Sequence, residues 1–381
     1  MKTFIRLHEP TFGEDEISAV VNVMRSGRIT SGDKVKEFER RFSPHAVMVN
    51  SGSSANLLAV GSAVSLGILN PGDEVIVPAL SWSTSIWPLV QHGLVPVIVD
   101  IDPETLNIDP DKVEAAITSK TRGIVVIHVY GNPCDMDQLK TFRERGLWVM
   151  SDSCEALGAK GIKRHSDVQT YSFYFSHHIT TGEGGLVDTE DDGIAEPIRI
   201  MRGHGWIRDC ANPSPWVNAH PDIDPRFLFV DAGYNLRCTE MQAAMGLVQL
   251  GKLELFLEQR RHIGNMLDRI MKRFEWLTVQ KQADGSSRFG YPIIVKKDAP
   301  FKVRDLRNHL ESHGIETRPI ICGNIARQPG LHRYQHHVPF PTPHSDHVMD
   351  YGFAVGCHQG MKEIDCSFIG YEIDHFMKNL T

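Results

Sequence analysis

Through its first two-thirds this chain alternates short β-rich runs with helical stretches, and no other feature limits its fold so tightly. Strand-like runs fall at residues 46–50, 74–78, 96–100, 123–129, 147–152, 170–174 and 185–189. Antiparallel neighbours can be joined by a tight turn, whereas parallel neighbours need a crossover long enough to hold a helix. Repeated β-then-α segments therefore predict an α/β fold on a mainly parallel, seven-stranded sheet.

Beyond residue 238 the pattern changes. Thr239-Glu-Met-Gln242 has the form of a capping box and predicts a long helix running to about residue 274. After it come a strand-like PIIVKK at 292–297, a helix near 302–313 and an irregular Pro/His-rich stretch at 328–347. We expect a large domain over 21–251 and a small α+β domain over 252–381, with residues 1–20 packed on the small one. No internal repeat or low-complexity linker interrupts the chain.

With 381 residues, 41% hydrophobic and 23% charged, the chain has ordinary globular composition. Its net charge of −7 gives no basic footprint for nucleic acid, so an anionic ligand would need a local cationic site. The start, MKTFIRLHEPTFGEDE, has no continuous apolar core of the kind a signal peptide needs. Apolar runs such as GIVVIHVYG at 123–131 are too short to span a bilayer. The seven cysteines, at 134, 154, 210, 238, 322, 357 and 366, form no CxxC pair. Free thiols in a reducing cytoplasm are the expectation, and no membrane or nucleic-acid partner is expected.

Several segments have the makings of chemistry. Asn50-Ser-Gly-Ser-Ser-Ala-Asn56 leads from a β-run into an apolar helix. Such a turn presents unpaired N–H groups and a positive dipole end, which suits phosphate, although an ordinary βα turn reads the same way. Asp152 ends the run LWVMSD, at the sheet edge where α/β folds gather ligands; a strand-end Asp can equally cap the next loop. Trp82 in PALSWSTS offers a flat apolar plane, or simply core filling.

His177 and His178 adjoin in SFYFSHHITTGEGG, where extended backbone would point them to opposite faces and keep them from sharing a metal. Gly233-Tyr-Asn235 reads locally as a turn. Arg318, in Glu316-Thr-Arg-Pro319, and Arg327 carry planar forks suited to a diphosphate or a carboxylate, and serve equally as surface charges. His332, His336, His337, His344 and His347 lack a matched set of carboxylates or thiolates, so no metal is expected.

Taken together with Ser26-Gly27-Arg28-Ile29-Thr30-Ser31-Gly32 and Arg202-Gly-His-Gly205, these segments resemble the DegT/DnrJ/EryC1/StrS sugar aminotransferases from about Glu9 to Gly360. The resemblance implies the aspartate aminotransferase-like architecture of fold-type I pyridoxal 5′-phosphate (PLP) enzymes. It implies a phosphate site at Ser53 and Ser54 with Ser172, a stacking ring at Trp82 and a carboxylate at Asp152 for the pyridine nitrogen. Glu155, in Asp152-Ser-Cys-Glu155-Ala156, stands where amino-transferring members often have glutamine. By the same resemblance Asn235 reaches a partner's cofactor phosphate, which implies a homodimer.

Ordinary members hold PLP covalently through a lysine five residues after the serine of Ser172-Phe. Here that place is His177, and imidazole makes no stable Schiff base, though it can move protons near neutral pH. The same exchange marks a branch that uses pyridoxamine 5′-phosphate (PMP) to remove the 3-hydroxyl of nucleotide-linked 4-keto-6-deoxy sugars. That branch implies His177 as acid/base, His178 in support, and Arg318 and Arg327 toward the substrate. The late segments ETRPIICGNIARQP and YGFAVGCHQ resemble members acting on GDP-4-keto-6-deoxy-D-mannose. L-glutamate is the implied amino donor, and deoxysugar supply for lipopolysaccharide O-antigen the implied setting.

Two departures stand out. The segment between Ala159 and Ser166 is trimmed, and Cys210 alone stands close after Arg202-Gly-His-Gly205, where cluster-bearing relatives group several cysteines, so no iron–sulfur cluster is expected. A 4-aminotransferase with histidine as proton shuttle, another PMP-dependent deoxygenation, and a non-catalytic binding protein of the same fold remain as alternatives.

Overall fold

The structure, a computed structural model, describes residues 4–162 and 165–380. Lys163 and Arg164, in the trimmed segment, lie outside the described residues.

Seven strands form the large sheet: β1 (Val47–Val49), β2 (Glu74–Pro78), β3 (Val95–Val99), β4 (Thr121–Ile127), β5 (Trp148–Asp152), β6 (Val168–Ser172) and β7 (Gly185–Asp188). Their order is β1-β7-β6-β5-β4-β2-β3. Strands β3, β2, β4, β5 and β6 run parallel, and β7 is antiparallel to both its neighbours. The sheet is thus the expected mainly parallel one, with β4 and β6 beginning two residues earlier than the sequence suggests.

Parallel strands are covered on both faces, and β2, β3 and β4 are accordingly rich in valine and isoleucine. Alternation divides the side chains between two cores. Val75 and Val77 pack with Leu58, Ile98 and Met150, while Ile76 packs with Val97, Ile124, Leu139 and Phe142 on the other side. The helix Gly52–Ser65 is buried from Ser54 to Ala63 apart from a half-buried Leu57, which explains its lack of a polar face.

The helix Glu240–Met271 opens on the expected capping box. Gln242 N donates to Thr239 Oγ1 at 3.3 Å, and Thr239 N donates to Gln242 Oε1 at 2.7 Å. Its first half buries Ala243, Leu247 and Phe256 beside the large sheet. Its second half buries Ile263, Leu267 and Met271 against a smaller antiparallel sheet of β8 (Leu277–Val279), β9 (Tyr291–Val295) and β10 (Gly352–Val355), in the order β10-β9-β8. Ile5 joins this second core, and Ile5 N donates to Gly314 O.

The stretch at 328–347 is less irregular than expected, because a helix begins at Pro343 and runs to Tyr351. Its cap comes from far away. Asp100 accepts from His344 N, Ser345 N and Ser345 Oγ at 2.9, 2.9 and 2.6 Å.

Candidate active site

At the C-terminal edge of β4, β5 and β6 lies a cavity of about 300 Å³. Ser53, Trp82, Asp152, Glu155, Ser172, His177 and Arg318 all line it. They reach it from segments far apart in the chain, so the grouping is a product of the fold rather than of local sequence.

Asp152 ends β5 and is 5% exposed. Its Oδ2 accepts from Asn56 Nδ2 at 2.8 Å and from Ser85 Oγ at 2.7 Å, and its Oδ1 accepts from Cys154 N at 3.1 Å. Asn56 is itself fixed, since its Oδ1 accepts from Thr170 Oγ1 at 2.5 Å. These partners hold the carboxylate in one orientation at the cavity wall. Asn56 and Ser85 also line the cavity, and neither was singled out from sequence. Asn56 was visible as the last residue of the serine-rich turn; nothing local marks Ser85.

The helix Gly52–Ser65 points its N-terminus at the same space. Ser51 caps it, accepting Ser54 N at 3.1 Å, while the N–H groups of Gly52 and Ser53 have no intrahelical acceptor. A Cβ at Gly52 would stand 2.7 Å from Ser172 Cβ, and one at Gly185 would stand 2.3 Å from Ser51 O. Glycine at both places lets β6 and β7 close against the turn. Ser54 departs from expectation: its Oγ donates to Asn50 Oδ1 at 2.6 Å and it does not line the cavity. Helix phase turns one of two adjacent serines inward, and capping takes the other.

Trp82 is 51% exposed along the wall, an indole face left uncovered. Glu155 Oε2 accepts from Tyr130 N at 2.9 Å, an N–H aimed by left-handed backbone at Tyr130 (φ 54°). Burial pushes the Glu155 carboxyl up to about 7, with Asp152 adding to the rise and Arg318 opposing it.

His177 sits on the turn after β6, where its N–H donates to Tyr174 O at 2.9 Å. Its ring centroid lies 5.0 Å from that of Phe289, and its Nδ1 is buried without a hydrogen-bond partner among the described residues. Burial, aided by the charges of Arg260 and Arg318, lowers its pKa to about 3, so the imidazole is neutral near pH 7. Arg260 is buried, and its Nη1 donates to the carbonyls of Arg288, Phe289 and Cys357 at 3.2, 3.0 and 2.9 Å. That clamp sets Phe289 against His177, another contact with no local signature.

His178 faces away. It is fully buried, and its Nε2 lies 3.1 Å from Ser287 O, so it does not line the cavity. The opposed directions of the pair match expectation; a substrate contact by His178 does not. Arg318 is held by a backbone pair with Ala354 and is the only arginine or lysine lining the cavity among the described residues. Arg327 is instead drawn to Asp350 (2.8 Å) and Asp346 (3.4 Å), outside the cavity. Asn235 lies exposed, its Oδ1 accepting from Arg237, and is likewise absent from the wall.

This donor set fits a pyridoxal phosphate. Unpaired helix amides and two serine hydroxyls suit the phosphate, the glycine contacts leave room for it, Asp152 is oriented for a ring nitrogen, and Trp82 offers an open face. Among the described residues no lysine lines the cavity.

A sequence profile of the DegT/DnrJ/EryC1/StrS aminotransferase family matches residues 10–373. The chain is 36% identical to GDP-4-keto-6-deoxy-D-mannose 3-dehydratase of Yersinia pseudotuberculosis, over 93% of this chain and 94% of that one. It is also 36% identical to dTDP-4-dehydro-2,6-dideoxy-D-glucose 3-dehydratase of Saccharopolyspora spinosa, over 98% and 87%. A crystal structure of GDP-4-keto-6-deoxymannose-3-dehydratase with a trapped PLP–glutamate adduct superposes with a TM-score of 0.90 at 32% identity, covering 97% of this chain and 100% of that one. With nearly its whole length matched, this chain belongs to the DegT/DnrJ/EryC1/StrS aminotransferase family.

Proposed function

We propose that this protein is a PLP/PMP-dependent 3-dehydratase of a nucleotide-linked 4-keto-6-deoxy sugar, with GDP-4-keto-6-deoxy-D-mannose as substrate and L-glutamate as amino donor. The observation that carries the reading is His177: it lines the cavity at the family's lysine position, and no lysine lines that cavity among the described residues.

Bound as PMP, the cofactor supplies an amine for the sugar's 4-keto carbon and an electron-withdrawing ring through which the C3 hydroxyl can be expelled. The protein does the rest. Gly52 and Ser53 amides, with the Ser53 and Ser172 hydroxyls, bind the phosphate. Asp152 keeps a proton on the pyridine nitrogen, and Trp82 covers one ring face. His177, neutral near pH 7, would accept the proton of the cofactor's methylene and return it to the departing C3 oxygen. Arg318 supplies the cation for the donor's carboxylate or the sugar's diphosphate.

The balance closes without an iron–sulfur reductant. Sugar and glutamate give 4-keto-3,6-dideoxy sugar, 2-oxoglutarate and ammonia, glutamate being the source of both reducing equivalents. A homodimer with Asn235 reaching the partner's phosphate site belongs to this reading. So does a reducing cytoplasm, in keeping with seven free cysteines. Among the described residues no helix is long and apolar enough to cross a membrane.

Incubation with GDP-4-keto-6-deoxymannose, PLP and glutamate, followed by mass analysis, tests the activity. A product lighter by one oxygen supports it. A C4-aminated product would move the assignment to the aminotransferase alternative, and turnover of the dTDP-linked sugar alone would replace the nucleotide.

A further inference from the structure

We propose that the small domain holds a divalent transition metal, of the zinc(II) type, at His309, His313, Glu372 and His375. Each residue offers one ligand atom, and the four atoms lie within 4.8 Å of one another. His309 lies on the helix Val303–Ser312 and His313 at its C-terminal cap, four residues on, so their rings share a face. Glu372 and His375 are three residues apart on the helix Glu363–Lys378, facing the first pair.

The arrangement converges on one oxygen. Glu372 Oε2 lies 3.1 Å from His309 Nε2, 3.7 Å from His313 Nε2 and 3.8 Å from His375 Nδ1. Zinc holds His nitrogens and carboxylate oxygens at about 2.0–2.2 Å, which puts tetrahedral ligand atoms about 3.3 Å apart. Small side-chain movements therefore close the cluster around an ion.

His313 Nδ1 lies 2.8 Å from the carbonyl oxygen of His309, so that nitrogen carries the proton. With Nδ1 so placed, Nε2 faces the Glu372 carboxylate at 3.7 Å. A ring N–H on a backbone carbonyl is also the usual partner that orients a metal-ligating histidine. Glu372 is only 4% exposed, and its ion-pair partners among the described residues are these three histidines alone. A buried carboxylate is paired or coordinates a metal, and this one faces only imidazole nitrogens among those partners. Phe376 packs beside His309, keeping one side of the cluster apolar.

None of the four residues lines the cofactor cavity. The ion would clasp the last long helix to the helix Val303–Ser312. In sequence the halves His-x₃-His and Glu-x₂-His stand far apart, so the site departs from the expectation of no metal, which weighed the histidines of 328–347.

The test uses tag-free holoenzyme, stripped with chelator and dialysed. Zinc(II) should bind by calorimetry at one equivalent and raise the thermal midpoint, and cobalt(II) should give the visible band of a tetrahedral ion. The His309→Ala/His313→Ala double variant should bind zinc at least tenfold more weakly and lose the metal-dependent rise, while His332→Ala keeps both. Should the double variant not fold, His375→Ala, at an exposed position, must show the same weakening. Absence of stoichiometric binding, or binding unchanged in these variants, overturns the proposal.

Discussion

Asn56 Nδ2 donates to Asp152 Oδ2 across 2.8 Å, joining the first turn of a buried helix to the end of the central strand β5. The amide cannot flip without losing its bond from Thr170 Oγ1 as well. Asn56→Ala should therefore release Asp152 from one of its orienting partners. A buried hydrogen bond to a charged group is worth about 1.5–3 kcal/mol, so PLP affinity should fall roughly ten- to a hundredfold. Cofactor titration by fluorescence checks this, and unchanged affinity would remove Asn56 from the site.

How much of this was legible in the sequence depends on where each partner comes from. Asp152, Ser172 and His177 stand at fixed spacings within their own segments, and the fold puts all three at one sheet edge. Thr239 and Gln242 satisfy each other locally, so the capping box reads directly. By contrast Ser85 and Phe289 reach the site only through tertiary contacts, the latter through the Arg260 clamp. The choice between Ser53 and Ser54 depends on helix phase within a single turn, and the helix from Pro343 is capped by Asp100 across the domain. Local pattern cannot carry such information.

Glu155 gives the protein a pH signature. Its carboxyl keeps a proton up to about 7 in the folded state, against 4.5 ordinarily. Between those values the unfolded chain holds fewer protons than the folded one, so rising pH favours unfolding. Stability from this residue is thus fully present below 4.5 and is lost as pH climbs through 7. Glu155→Gln keeps an acceptor for Tyr130 N and removes the titration. Thermal midpoints of the two apoproteins should diverge across this window, the variant gaining relative to wild type as pH rises. Parallel curves would refute it.

Asn235 tests the shared-site reading. Its side chain is exposed and, among the described residues, engaged only with Arg237, so its loss should cost little folding stability. If it completes a partner's phosphate site, Asn235→Ala should lose PLP on dialysis far faster than wild type while its thermal midpoint barely moves. Sedimentation must show a dimer for the argument to hold. A fully active monomer would end it.

His177 carries the sharpest prediction. Borohydride treatment of the PLP-loaded wild type should leave no pyridoxyl group on a peptide spanning 170–185, because imidazole offers no amine. A labelled lysine elsewhere, such as Lys160, would mean the cofactor is anchored after all. His177→Lys should introduce a borohydride-reducible link with a shifted cofactor absorbance. The lysine can also displace an aminated product, so most 3-deoxygenation should be lost and slow 4-amination gained. His177→Asn keeps a polar side chain of similar reach but cannot shuttle a proton, and should lose both activities. General acid–base participation is worth roughly a hundred- to ten-thousandfold, so the fall in deoxygenation should be of that order. The ring packs against Phe289 at 5.0 Å, so PLP affinity and thermal midpoint must be measured alongside rate. A large loss of rate with cofactor affinity intact marks a proton carrier, whereas near-normal deoxygenation by His177→Asn would pass that role to a bound water or to another residue of the wall.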